Sequence, residues 1–196
     1  MQDLRRYIAE LLKAQNPAEA AAKSALAVAN LAAYFSKNPP KMVGVYRNSE
    51  PNGLGEADPL AILKAPALAG AHFAFPRVVD RFNSEMDFAV PIHRTDWVKG
   101  VFGNPEPRSD LPAVEPHDFD AIVIPGVVFG LKGERIGRGA GFYDRYLMQA
   151  SGALRIGFGY DFQLLNEPVP QADWDARMDV TVTELRTIET SGRSSI

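Results

Sequence analysis

Cysteine is absent from the 196-residue chain. That excludes disulfides, thiolate metal ligands and a cysteine nucleophile, so any bound metal must be held by oxygen or histidine. Histidine is scarce as well: His72, His93 and His117 are the three in the chain. They lie far apart, without H-x-H or H-E-x-x-H spacing, and read as structural rather than catalytic. The G-x-S-x-G elbow of serine hydrolases is missing. No window approaches the ~18 apolar residues of a membrane span, and the opening MQDLRRYIAELLKAQ lacks the apolar core of a secretory signal. The cytoplasm is the expected compartment, with no membrane partner. A basic excess is missing too. The 21 Lys+Arg against 24 Asp+Glu leave a net charge of −3, and the pI near 5.6 speaks against a chain whose task is to neutralise nucleic-acid phosphates.

What remains is 46% hydrophobic and 23% charged residues, enough to bury the core of one domain. Residues 2–14 carry Leu4, Ile8, Leu11 and Leu12 at helical spacing beside Arg5, Arg6 and Lys13, an amphipathic helix. Asn16-Pro17-Ala18-Glu19 supplies a cap and a first-turn proline for a second helix running to Tyr34. The run at 42–46 reads as a buried strand, 47–55 as a loop, 57–65 as a helix, 72–75 as a strand and 85–92 as another. Residues 121–124 are apolar throughout, as in a central strand covered on both faces. A helix at 142–150 and strands at 154–160 and 179–183 follow. Strands alternating with helices point to an α/β, single-domain, three-layer fold with a largely parallel sheet flanked by helices. The domain is expected over 1–189, with 190–196 a flexible tail.

The segment richest in chemistry is PGVVFGLKGERIGRGAGFYDRYL, residues 125–147. A buried strand leads into Gly137, Gly139 and Gly141, and these lead into a helix. Glycine lets a ligand approach the main chain, and exposed N–H groups beside a helix N-terminus make an anion site. Arg135 and Arg138 add forked cations suited to phosphate. The G-x-G-x-G spacing is neither the dinucleotide fingerprint, since Phe142 stands at its third glycine position, nor a Walker A loop. On spacing alone, phosphate binding and a tight glycine turn flanked by surface arginines are equally good readings.

This segment resembles the signature P-G-x-x-F-D-x-x-G-x-R-L-G-x-G-x-G-Y-Y-D-x-x-L of the 5-formyltetrahydrofolate cyclo-ligase family. Gly103-Asn104-Pro105-Glu106-Pro107 is similar to the family's G-I-x-E-P, Phe75-Pro76-Arg77 to its strand-end P-R, and Tyr46 with Glu56-Ala57-Asp58 to its tyrosine loop and E-x-D. The likeness continues through Gln163, Pro170, Asp175, Asp179 and Thr183-Glu184. It implies conversion of 5-formyltetrahydrofolate, with or without a polyglutamate tail, and ATP into 5,10-methenyltetrahydrofolate, ADP and phosphate, with Mg2+, by a monomer.

Carried over residue by residue, the resemblance implies that Arg5, Arg135, Gly137, Arg138, Gly139, Ala140, Gly141, Phe142 and Tyr143 bind ATP. Arg135, Arg138 and Tyr143 would act in catalysis, Glu56 and Phe102 would bind folate, and Asp144 and Asp175 would hold Mg2+. Two carboxylates are chemically sufficient for magnesium, and a carboxylate accepts the paired N–H donors of a pterin. Each residue also has a plainer reading. Asp144 is a helix-start carboxylate, Asp175 a solvated acid beside Asp173, Glu56 a surface glutamate and Phe102 a core aromatic. Gly130, Ala140, Phe142 and Trp174 depart from the pattern, as does the lack of a lysine before Leu4-Arg5. Two other functions fit the residues, a folate or nucleotide binder without turnover and another phosphate-handling enzyme, such as a sugar-phosphate isomerase, on a similar scaffold.

Overall fold

A computed structural model describes residues 2–48, 55–172 and 174–190. Its helices are α1 (Gln2–Ala14), α2 (Pro17–Phe35) and α3 (Phe142–Gln149). Its strands are β1 (Met42–Val45), β2 (His72–Asp80), β3 (Glu85–Ala89), β4 (Trp97–Lys99), β5 (Pro105–Pro107), β6 (Ala121–Pro125), β7 (Val128–Gly130), β8 (Arg135–Ile136), β9 (Leu154–Phe158), β10 (Leu164–Leu165), β11 (Val180–Val182) and β12 (Thr187–Glu189). Asn16 starts α2 as its composition suggests: its side-chain oxygen accepts from the amides of Ala18 at 2.9 Å and Glu19 at 3.3 Å. Two orphan donors of the first turn are thereby satisfied.

Seven strands form the main sheet in the order β12-β11-β9-β6-β1-β2-β3. The five inner strands run parallel, and β12 and β3 close the edges antiparallel. The expected doubly covered strand is β6, and its side chains divide by parity. Ala121 and Val123 join the core beneath α1 and α2, with Leu12, Leu31 and Phe35. Ile122 and Ile124 face the other core, with Phe88, Tyr146 and Leu147 of α3. Period-2 alternation under two helical layers makes this a three-layer α/β fold.

Several boundaries differ from the sequence reading. The helix expected at 57–65 is a 3₁₀ turn, Leu60–Lys64, because Pro59 removes a donor and Asp58 accepts from the amide of Leu60 at 3.0 Å. The strand expected at 72–75 continues to Asp80. Its pairing with β1 ends at Ala74, so Pro76 sits where its missing N–H interrupts no ladder bond to that strand. Strands β4, β5, β7, β8, β10 and β12 were not foreseen. The hydroxyl of Thr190 donates to the carbonyls of Met178 and Asp179. Residues 191–196, the bulk of the expected tail, and 49–54, the heart of the expected loop, lie outside the described residues.

The sheet order reverses between β1 and β6. From β1 the chain proceeds outward to β2, and from β6 it proceeds the other way to β9. A crevice opens outside the carboxyl ends of strands at such a switch point. Here those ends are Tyr46 and Arg47 after β1, and Pro125 and Gly126 at the end of β6.

Candidate active site

A cavity of about 710 Å³ occupies this crevice, with Tyr46, Arg47, Pro125 and Gly126 in its wall. That is the size range of small-molecule and cofactor sites. All of the site residues expected from the sequence line it: Arg5, Glu56, Phe102, Arg135, the stretch 137–144 and Asp175. The three histidines do not line it, and all are exposed.

The glycine stretch forms one wall. Gly139 has φ +103° and Gly141 φ +76°, left-handed conformations that strain any residue with a Cβ. Gly141 is the N-cap of α3, so the loop turns directly into the helix. Gly139 also lets α1 approach, since a Cβ there would lie 3.1 Å from a guanidinium nitrogen of Arg5. The Nε of Arg5 is buried without a hydrogen-bond partner among the described residues. A desolvated cationic donor beside a glycine loop calls for an anion.

The other two arginines expected at phosphate are each held by a carboxylate. Arg138 grips Glu56 with two bonds, Nε to Oε1 at 3.2 Å and Nη2 to Oε2 at 2.5 Å. The glutamate side chain is 7% exposed, so the surface reading of Glu56 does not hold. Arg135 is buried, donating to the Asp144 carboxylate at 2.7 Å and to the carbonyl of Pro125 at 3.1 Å. Its guanidinium lies 5.8 Å from the centre of the Tyr143 ring. Burial pushes the Tyr143 phenol well above its ordinary pKa, against the opposing pull of Arg135. Tyr143 is therefore a hydrogen-bond donor at neutral pH, not a base.

Asp144 also accepts from the amide of Ala176 at 3.3 Å, which brings the segment carrying Asp175 against the start of α3. The bonds of Asp144 fall on Oδ1 and that of Asp175, from the amide of Ala172, on Oδ2. Among the described residues, one oxygen of each carboxylate is left for another partner. No cluster of three or more His, Cys, Asp or Glu residues suited to a metal occurs among the described residues. A cation here would be held by two carboxylate oxygens and completed by water or ligand oxygens, a coordination that magnesium tolerates and an all-protein cage does not require.

Phe102 is 59% exposed at the tip of the β4–β5 hairpin, which removes the core-packing reading. Its ring meets Phe142 edge-on at 5.8 Å, tying the hairpin to the first residue of α3. Gly130, which departs from the signature aspartate, has a local explanation. A Cβ there would lie 2.4 Å from Oε2 of Glu134, and that oxygen accepts from the amide of Lys132 at 2.9 Å. Glu134 thus fills the space a side chain at 130 would need. Trp174 and Met148, both exposed, stand in the cavity wall beside Arg145. The sequence reading also missed Glu106, a buried carboxylate in the same wall; its signal was its place between two prolines in the G-x-x-E-P match.

Comparison with known proteins agrees with this geometry. The family model described as the 5-formyltetrahydrofolate cyclo-ligase family matches residues 1–184. The 5-formyltetrahydrofolate cyclo-ligase of Mycoplasma genitalium is 38% identical over 112 residues, covering 55% of this chain and 53% of that protein. The protein of the same name from Escherichia coli is 37% identical over 81 residues, 40% of this chain and 44% of its own. The chain thus spans about half the length of these curated relatives. The NMR structure of the 5,10-methenyltetrahydrofolate synthetase of Aquifex aeolicus has a TM-score of 0.81 and 30% identity, with 100% of this chain and 95% of that one covered. The synthetase of Mycoplasma pneumoniae, with a TM-score of 0.73 at 23% identity over 93% of this chain and 98% of that one, shares the fold. By motif, fold and whole-domain match, the chain belongs to the 5-formyltetrahydrofolate cyclo-ligase family.

Proposed function

We propose that this chain converts 5-formyltetrahydrofolate and ATP into 5,10-methenyltetrahydrofolate, ADP and phosphate. The observation that carries the reading is a single cavity at the switch point of the sheet that joins a glycine loop, the arginines Arg5, Arg135 and Arg138, a buried carboxylate at Glu56 and the Asp144/Asp175 pair. A binder without turnover needs no such convergence of phosphate-handling and carboxylate groups. A metal-free isomerase has no use for Asp144 and Asp175 together.

The chemistry follows from the poor leaving ability of an N-formyl oxygen. That oxygen takes the γ-phosphoryl group of ATP, and the bond from phosphorus to ADP breaks. N10 of the folate then attacks the activated carbon, loses its proton, and the carbon–oxygen bond breaks to release phosphate. Such transfer asks the protein mainly for in-line positioning and charge neutralisation. In this reading the loop amides of 137–141 and Arg5 receive the phosphates, with Ala140 and Phe142 in the loop wall. Arg138 exchanges Glu56 for phosphate oxygens as ligands enter. Arg135 holds Asp144 in place, and the Tyr143 phenol donates to a phosphoryl oxygen.

Glu56 accepts the paired pterin N–H groups, and Phe102 covers the folate rings. Asp144 and Asp175 would hold Mg2+, which when bound would supply neutralisation of charge on the phosphate oxygens. No helix among the described residues is long and apolar enough to cross a membrane. The reading places a monomer in the cytoplasm, and every group it uses comes from one chain. The test is growth of the methenyl chromophore with purified protein, with and without ATP and magnesium. Product requires both, and a folded protein that forms none refutes the assignment.

A further inference from the structure

The reaction must remove a proton from N10, and none of the groups given roles above is suited to take it. Tyr143 is a protonated phenol, and no histidine lines the cavity. Glu56 is taken up by the pterin N–H groups in this reading, Asp144 is ion-paired to Arg135, and Asp144 and Asp175 are assigned to the metal. Among the described residues, the remaining carboxylate in the wall is Glu106 on β5. We propose that Glu106 is the general base that accepts the N10 proton during ring closure; this rests on the cyclo-ligase reading.

Glu106 is 8% exposed. Its Oε2 accepts the amide of Val78 at 3.0 Å, which fixes the carboxyl plane and leaves Oε1 without a protein partner among the described residues. The space it fills is reserved for it. A Cβ at Gly100 would lie 2.1 Å from the Glu106 carboxyl carbon, so any side chain at 100 expels the carboxylate. Val78, Met86 and Phe102 line the same cavity. The hairpin that carries it reaches the glycine loop through the Phe102–Phe142 contact.

Most of the charged groups on the elements packed against it are engaged elsewhere. On β2, Arg77 binds Asp87 of β3 and the carbonyl of Arg108, while Asp80 closes its own turn on Phe82 and Asn83. Arg108 binds Asp110, Asp96 caps the turn before β4, and Lys99 on β4 lies alongside Gly103. Burial therefore acts unopposed by a cation and raises the Glu106 carboxyl above its usual range, strengthening it as a base. In the step, N10 forms its bond to the phosphorylated formyl carbon, the N10–H proton passes to Oε1, and the carbon–oxygen bond breaks with its electrons leaving on phosphate. The proton returns to water after product release.

The test is a rapid-mixing comparison of wild type with Glu106→Gln, which keeps an acceptor for the Val78 amide. ADP and methenyl product are followed separately across pH. The inference expects ADP release in a first turnover to persist while methenyl formation falls about 100-fold or more, with the folate KM within threefold of wild type. The acid limb of the wild-type rate profile is expected to vanish in Glu106→Gln. Methenyl formation within threefold of wild type, or a loss confined to KM, overturns it. If Glu106→Gln fails to fold, Glu106→Asp decides: a slowed ring closure that keeps its acid limb supports the base, and a wild-type rate overturns it. A wild type that makes no methenyl product refutes the cyclo-ligase reading itself, a different result from an active wild type matched by Glu106→Gln.

Discussion

Arg138 of the glycine loop and Glu56 at the end of the β1 loop hold one another through two parallel hydrogen bonds. The residues expected on separate ligands thus neutralise each other across the cavity. Either ligand that takes one partner frees the other, so ATP and folate are expected to bind with positive coupling. Arg138→Ala removes a charge-assisted contact worth roughly 1.5–3 kcal/mol and is expected to weaken ATP about 10- to 100-fold while abolishing the coupling. Calorimetric titration of each ligand with and without the other measures this. Equal coupling in wild type and variant contradicts it.

The Arg135–Asp144 pair sits deeper, with side chains 4% and 22% exposed. Removing one member strands the other in a site of low dielectric. Arg135→Met is therefore expected to lower stability by about 3–5 kcal/mol as well as activity, measurable by urea denaturation. A stability equal to wild type would show that the buried pair is not needed for the fold.

At Gly130 the bond pattern of Glu134 forecasts a conditional effect. Gly130→Asp forces two carboxylates into one space and is expected to cost about 1–3 kcal/mol. Glu134→Ala should relieve the crowding, so the double variant is more stable than Gly130→Asp alone. Additive losses in thermal unfolding contradict the shared-space account.

Glu106 makes a prediction about stability that is separate from its kinetics. Because burial raises its pKa, the native state binds the proton more tightly than the unfolded chain, and ionisation opposes folding. The cost is absent below the ordinary carboxyl pKa, grows as pH rises through the raised value, and is complete above it. Relative to wild type, Glu106→Gln is expected to gain stability from acid to neutral pH in thermal unfolding scans. A flat difference across that range contradicts it.

Much of this was legible in the chain because local rules carried it. The Asn16 cap, the all-apolar β6 and the strand-to-glycine-to-helix transition at 137–142 are short-range signals, and the structure uses each of them. The short strands were not legible. Strands β4 and β5 are three residues each, β5 beginning and ending with proline, and β8 has two residues; so brief a run carries no periodicity, and only tertiary pairing defines it. The site positions followed from the signature, but their partners did not. Nothing in the spacing of residues 56 and 138 shows that they meet, because the meeting depends on the order of β1 and β6 in the sheet. Glu106 was visible in a motif match without a role, since burial and the gap at Gly100 are properties of the folded chain.

The most direct measurement is the absorbance of the methenyl product when purified protein is mixed with 5-formyltetrahydrofolate, ATP and magnesium, set beside the same mixture lacking ATP or metal. The account requires the chromophore to grow only in the complete mixture, in step with ADP. A folded protein that binds both ligands and yields no chromophore contradicts it.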